Sequence, residues 1–207
     1  MNDPSEMAGK IIISTAYLPP VAYFSLIAGA DEAFVEKEEN YIKQTYRNRC
    51  YILTADGPQI LSVPVYLGSF HKTVIKDIRI DYSKRWQQIH LRAMKAAYSS
   101  SPWFEFYFDR IEQIISEGHE FLIDLNMELI SLINNVLSIN ASVEYTSHFE
   151  PVTSEPNDYR YTISPKRSDK RENRAYRQVF QYGKGFVPDL SIIDLIFNMG
   201  PDSNHYL

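Results

Sequence analysis

The chain has 207 residues, 44% hydrophobic and 23% charged, with a formal net charge of −5 at neutral pH. That length suits one domain with a sizeable core, the composition is far from that of a disordered chain, and the acidic balance argues against a general nucleic-acid binder. The single cysteine, Cys50, permits neither an internal disulfide nor a multi-cysteine zinc site, and points to a reducing compartment.

Residues 1–9 read as a flexible lead-in to one domain spanning 10–207. After Lys10, "IIIS" reads as a short buried strand stopped by the turn "YLPP", and "VAYFSLIAGA" follows as a helix closed by Gly29. Strand, proline loop and helix N-terminus in that order is how α/β folds build a site at a strand's carboxyl edge. The stretch imitates a secretory leader ending in Ala28-Gly29-Ala30. However, Asp3 and Glu6 precede it and Pro19-Pro20 interrupts it, so no leader is expected. No uninterrupted run reaches the ~20 apolar residues that span a bilayer.

"EAFVEKEE" reads as a second strand entering a charged turn. From Cys50, "CYILTADGPQILSVPVYL" reads as two strands joined by Asp56-Gly57, where both positions tolerate positive φ, and "TVIKDIRID" as a further strand. Three helices follow. The first carries a stripe of Trp86, Ile89, Ala93 and Ala97; Ser101 caps the second, with Pro102 in its first turn; the third repeats apolar residues at 122, 125, 129, 132, 133 and 136. "SVEYTSHF" is β-like. A basic arm at residues 166–177 then holds six cations and two acids, suiting either a solvated loop or a phosphate clamp. "LSIIDLIFNMGP" closes the chain as a short helix, with Ser191 and Asp194 as a capping-box-like start and Gly200-Pro201 as the stop. The fold class is therefore α/β: a single domain with a mixed sheet and a helical layer.

Three stretches carry candidate chemistry. In "TAYLPPVAY" two prolines fix the backbone beside a helix N-terminus, where an anion could sit between Tyr17 and Tyr23; a tight turn with buried rings fits equally. "ENYIKQTYRNRC" packs Lys43, Gln44, Arg47, Asn48 and Arg49 just after Glu36, Glu38 and Glu39. As a helix it would pair Glu39 with Lys43 and Lys43 with Arg47, yet Arg47-Asn48-Arg49 is also a concentration of planar donors for carboxylate, phosphate or sugar hydroxyls. His90, one turn after Trp86, is the best general-base candidate among five scattered histidines, though a lone helical histidine is commonly structural. Glu105 among aromatics reads as an exposed carboxylate, and Cys50 as a buried structural thiol. No metal-ligand spacing, P-loop, GxGxxG, GxSxG or EF-hand loop occurs, so neither a metal nor another cofactor is expected.

"TAYLPPVAYF", "EKEENYIKQTYRNRC", "LSVPV", "WQQIHLRAMKAAYSSSPWFEFY" and "LSIIDLIFNMGP", in this order, resemble the WbqC-like family, in the version of a Bacteroidetes-type branch. Other members carry a His-Gln-Pro run before Tyr-Leu-Pro; Ser14-Thr15-Ala16 stand there in this chain, so a histidine given chemistry elsewhere has no equivalent at this spot. The resemblance implies transfer of an aminoacyl group, such as glycyl, to an amino sugar in surface-polysaccharide synthesis, including O-antigen. For that transfer, donor density and motif position make His90, Glu36 or Glu39 the candidate base, and Tyr17, Tyr23, Lys43, Gln44, Arg47, Asn48 and Arg49 the candidate substrate contacts. The expected substrate is a small molecule such as a nucleotide-linked amino sugar. The single cysteine leads to the expectation of a cytoplasmic protein, the acidic balance to no nucleic-acid partner, the run lengths to no membrane span, and a homodimer is the default for such a chain. Two other readings stay open: a nucleotidylyl-transfer-like Rossmann protein and a non-catalytic binding or scaffold protein.

Overall fold

The isoleucines after Lys10 form β1 (Lys10–Ser14), with Ile11 and Ile13 turned into the core. β1 pairs in parallel with β2 (Glu32–Glu36), and β2 with β5 (Ser142–Tyr145), in the order β1-β2-β5. Ile11 stands opposite Ala33, Ile13 opposite Val35 and Ser14 opposite Glu36. The computed structural model describes residues 9–66, 73–149, 151, 157–166, 174–181 and 185–207. The expected lead-in, residue 9 apart, and residues 167–173 of the basic arm lie outside these. On the outer edge of β1, the Ile12 amide donates to the Asn157 carbonyl at 3.0 Å and its carbonyl accepts from the Tyr159 amide at 2.8 Å. The strands run one way, so Ser14, Glu36 and Thr146 gather at one edge of the sheet.

α1 (Val21–Ala28) makes the crossover from β1 to β2. The loop before it is held by the chain's last helix. Ser191 Oγ donates to the Leu18 carbonyl at 2.7 Å and the Ile192 amide to the Pro19 carbonyl at 2.8 Å. These bonds support Leu18 at φ 40, a conformation that side-chain-bearing residues rarely adopt. The Val21 amide at the α1 N-terminus donates to the Leu190 carbonyl at 3.3 Å, so one donor at that helix end is met by the protein itself. That last helix, α5 (Ile192–Met199), is apolar on nearly every side and packs on α1, the third helix and the first strand of the hairpin.

β3 (Arg49–Thr54) and β4 (Gly57–Ser62) form an antiparallel ladder of their own. Parallel and antiparallel strands thus share one α/β domain, as expected. Thr54 faces Gly57, so the turn residues are Ala55 and Asp56 and positive φ falls on Gly57 alone, one position later than expected. "TVIKDIRID" is not a strand. It holds a 3-10 turn at Ile75–Asp77 flanked by single bridges from Val74, Arg79 and Ile80. Ile75 and Ile78 are both fully buried, and a spacing of three suits a 3-10 turn but splits across the faces of a strand.

The helical layer is α2 (Trp86–Tyr98), α3 (Phe104–Glu117) and α4 (Leu122–Val136). The buried stripe of α2 is Trp86, His90, Met94, Ala97 and Tyr98, so the expected stripe is rotated: Ile89 faces solvent and His90 the core. α3 starts at Phe104 with Trp103 as its N-cap, not at Ser101-Pro102. The Ser101 carbonyl accepts from the Phe104 amide at 3.3 Å, and an extra turn precedes the helix. Ser191 does cap α5, accepting from the Ile193 amide at 3.5 Å, but the Asp194 side chain turns into the core instead of completing a box.

At the α5 stop, Gly200 adopts φ 54, and a Cβ built there would lie 2.3 Å from the Trp103 ring. Gly200→Ala should therefore destabilise the fold by about 2–3 kcal/mol, through backbone strain and displacement of a packed indole. Chemical denaturation would show a lowered midpoint at unchanged slope.

Candidate functional site

The donor-rich segment after β2 is not a helix. Gln44 has φ 61 and Thr45 is extended, so the chain doubles back into a 3-10 turn at Tyr46–Asn48. The reversal brings Arg47 onto Glu39 in place of the helical pairs through Lys43. Arg47 Nε donates to Glu39 Oε1 at 3.0 Å and Nη2 to Oε2 at 2.7 Å. Lys43 and Gln44 stand exposed at the loop tip.

This pair sits at the carboxyl edge of the parallel strands. Arg47 Nη2 also donates to Ser14 Oγ at 2.8 Å, and Ser14 Oγ donates to the Arg160 carbonyl at 2.8 Å. The Arg160 side chain holds Asp158 through Nε at 2.9 Å and Nη2 at 2.5 Å, and reaches Glu36 Oε2 through Nη1 at 3.4 Å. Glu36 Oε1 accepts from Thr146 Oγ1 at 2.9 Å and from the Glu38 amide at 2.8 Å. Glu36, Glu39, Arg47 and Arg160 are each at most 3% exposed, so this ionic network is removed from water and depends on its own hydrogen bonds. Burial pushes the Glu39 carboxyl above its ordinary range, although Arg47 pulls it back. Tyr23, whose hydroxyl donates to the Ser14 carbonyl at 2.9 Å, is also pushed up, chiefly by burial.

A small hollow of about 20 Å³ opens over this floor, lined by Ser14, Thr15, Tyr23, Arg47, Tyr159 and Arg160 among others. It adjoins a cleft of about 250 Å³, with Tyr46 and Ile163 lining both. The cleft also carries Tyr51, Thr162, Ser164, Asp189 and four prolines, and the rings of Tyr46 and Tyr51 meet edge to face at 6.0 Å. Glu36 and Glu39 are not on the hollow's lining. They hold the guanidinium groups from the core side, so the hollow is lined by cationic side chains beside a hydroxyl.

The other expected residues are dispersed. Tyr17 and His90 are buried together, with Tyr17 Oη and His90 Nδ1 2.9 Å apart and Trp86 edge-on to the imidazole at 5.2 Å. Burial holds His90 down at about 4, against a hydrogen bond to the Ser62 main chain, so the ring is neutral at pH 7. Asn48 Nδ2 donates to the Val63 carbonyl at 2.8 Å and anchors the hairpin, while Arg49 opens β3 with its Nε buried. Glu105 is exposed, and Cys50 is a buried thiol pushed up by desolvation.

Several contributors escaped the sequence reading. Arg160 was visible only as a lone cation in the aromatic run "DYRYT". Asn126 is a fully buried polar residue on the apolar stripe of α4, and that misfit was its signal. Its Nδ2 donates to Thr15 Oγ1 at 3.1 Å and to the Arg47 carbonyl at 2.8 Å, tying the proline loop to the arginine turn. Asp194, read as a cap, accepts from Tyr176 Oη at 2.7 Å and Gln178 Nε2 at 2.9 Å. Gln178 in turn clasps Val187, one residue before the cleft wall of Pro188, Asp189 and Leu190.

Arg47→Ala leaves a buried carboxylate without its cation and should cost about 3–5 kcal/mol in urea denaturation. Arg47→Lys should recover only part of this, because an ammonium cannot bridge both Glu39 oxygens and Ser14 as the fork does. His90 makes a separate pH prediction. Folding lowers its pKa from 6.5 to about 4, so its stabilisation is complete above pH 6.5 and is lost as pH falls through that window. The loss should total about 3 kcal/mol. His90→Asn should flatten that part of the stability profile; Glu39, with its raised pKa, contributes in the opposite sense and remains in both proteins.

The sequence profile of the WbqC-like protein family matches residues 15–171, which include Tyr23, Arg47, Asn126 and Arg160. The chain is also 30% identical, over 223 aligned residues covering 95% of it and 96% of the relative, to "Uncharacterized protein Rv1507c" of Mycobacterium tuberculosis (strain ATCC 25618 / H37Rv). No solved structure matches. With most of its length under the profile and a full-length relative beside it, the chain belongs to the WbqC-like protein family.

Proposed function

We propose that this protein is a biosynthetic transferase that joins an activated aminoacyl group, such as glycyl, to the amino group of a sugar in surface-polysaccharide synthesis. The observation that carries the reading is the floor of Ser14, Arg47 and Arg160, backed by Glu39 and Glu36, in a hollow that adjoins a tyrosine-lined cleft. Family membership supports a biosynthetic enzyme of this kind. In the reaction the amine nitrogen bonds to the activated carbonyl carbon, the bond from that carbon to its leaving group breaks, and the amine gives up a proton. The Arg47 guanidinium lines the hollow and offers its charge and its remaining Nη1 N–H to the oxyanion that develops. Glu39 takes the proton by way of the Ser14 hydroxyl, which turns from the Arg160 carbonyl to relay it. Burial raises the basicity of that carboxylate. His90 supports Tyr17 from the core and takes no part in the transfer.

The sugar lies in the cleft. Its ring packs on Tyr46 and Tyr51, its hydroxyls meet Thr162 and Ser164, and its ammonium form is drawn to Asp189. The described cleft lining includes no lysine or arginine, which speaks against a triphosphate-binding reading. No helix among the described residues is long and apolar enough to cross a membrane, and we place the reaction in the cytoplasm, where activated donors are made.

The test is incubation with nucleotide-linked amino sugars and glycyl thioester or glycyl phosphate donors, followed by mass spectrometry for a sugar heavier by one glycyl residue. Arg47→Lys, shown to be folded by circular dichroism, should lower kcat by about 10²–10³-fold. Absence of product from every donor and acceptor pair, or a wild-type rate in Arg47→Lys, would sink the proposal.

A further inference from the structure

Away from the cleft, the junction of α3 and α4 brings an imidazole and two carboxylates together. Glu117 ends α3, Gly118 turns the chain at φ 91, His119 follows, and Glu128 stands on the second turn of α4. His119 Nε2 lies 2.9 Å from Glu128 Oε2 and 3.9 Å from Glu117 Oε2, and one ligand atom from each residue falls within 4.8 Å of the others. A tetrahedral ion with ligands at about 2.0–2.1 Å sets neighbouring ligand atoms about 3.3 Å apart. The two distances from His119 stand on either side of that value.

A second observation comes from the imidazole. His119 Nε2 is buried and makes no hydrogen bond, even though Glu128 is near. Nitrogen and oxygen are close but not aligned, as ligands converging on a shared ion are and as a hydrogen-bonded pair is not. The loop is also preset. Tyr82 Oη donates to the His119 carbonyl at 2.8 Å, the Ile80 amide to the Glu120 carbonyl at 3.0 Å, and the Leu122 amide to the Ile78 carbonyl at 2.9 Å. The cluster's ordering cost is therefore largely met before any ion arrives, and the two half-exposed carboxylates leave an entry from solvent.

We propose that Glu117, His119 and Glu128 bind one divalent ion of the zinc class, with water completing its shell. An imidazole beside two carboxylates suits zinc or its neighbours better than magnesium or calcium, which favour all-oxygen sites. The ion fastens the α3–α4 hairpin at its turn. Spacing rules overlook the site because one ligand follows a left-handed glycine and another lies on the next helix.

Isothermal titration of chelator-treated protein with zinc should show one ion per chain. Cobalt should give the visible absorption of a low-coordinate complex. Zinc at a hundredfold excess over Kd should raise the melting midpoint by about 5–10 °C. His119→Ala and Glu128→Gln should each weaken binding at least tenfold with helicity unchanged. Glu128→Gln, on an exposed helix face, serves if His119→Ala does not fold. Failure of the folded wild type to bind zinc stoichiometrically, or equal affinity in the variants, overturns the proposal and leaves an ion pair only.

Discussion

Glu39 and Arg47 are a carboxylate and a guanidinium taken almost wholly out of water, and the candidate site depends on the geometry that makes this tolerable. Desolvating two charges costs several kcal/mol per ion, and attraction offsets this only when the remaining hydrogen-bonding positions are filled. Here they are filled by Thr45 in the preceding loop and by two elements distant in sequence: Ser14 at the end of β1, and Asn126 on α4 holding the Arg47 carbonyl. The pair can exist only when the sheet edge, the reversed loop and the helical layer are all in place. It therefore ties the site's integrity to that of the whole domain.

The second ionic set around Arg160 extends the same logic. Three buried carboxylates, Glu36, Glu39 and Asp158, face two guanidinium groups, so the described cluster holds one acid more than it holds cations. Burial favours the neutral form of an acid in such a place, which is the direction found for Glu39. A region with this balance presents directed donors without a large net field. That suits a ligand with a polar carbonyl better than one with several phosphates.

α5 links this site to the rest of the core. Its N-terminus grips the proline loop through Ser191, while Asp194 fixes Tyr176 and Gln178 and, through Val187, the far wall of the cleft. A short helix buried nearly all round thus sets both sides of the opening. Its apolar character places it in the interior; its cap Ser191 and its buried Asp194 decide what is built around it.

The opening strand, proline loop and helix, the hairpin after Cys50, the three-helix layer and the burial of Cys50 followed from periodicity and local chemistry, which act over a few residues and are written in the chain directly. Family membership was readable in the same way, from ordered motifs. Sequence alone also marked Arg47, jointly with Asn48 and Arg49, through the density of planar donors there. Only the tertiary structure decided that Arg47 meets Glu39 and not Lys43's neighbourhood, that His90 faces the core because the α2 stripe is rotated from the expected one, and that "TVIKDIRID" turns instead of extending. It alone brought in Arg160, Asn126 and Asp194. Their roles arise from contacts across 16 to 124 positions of chain, where burial and hydrogen-bond satisfaction outweigh local propensity.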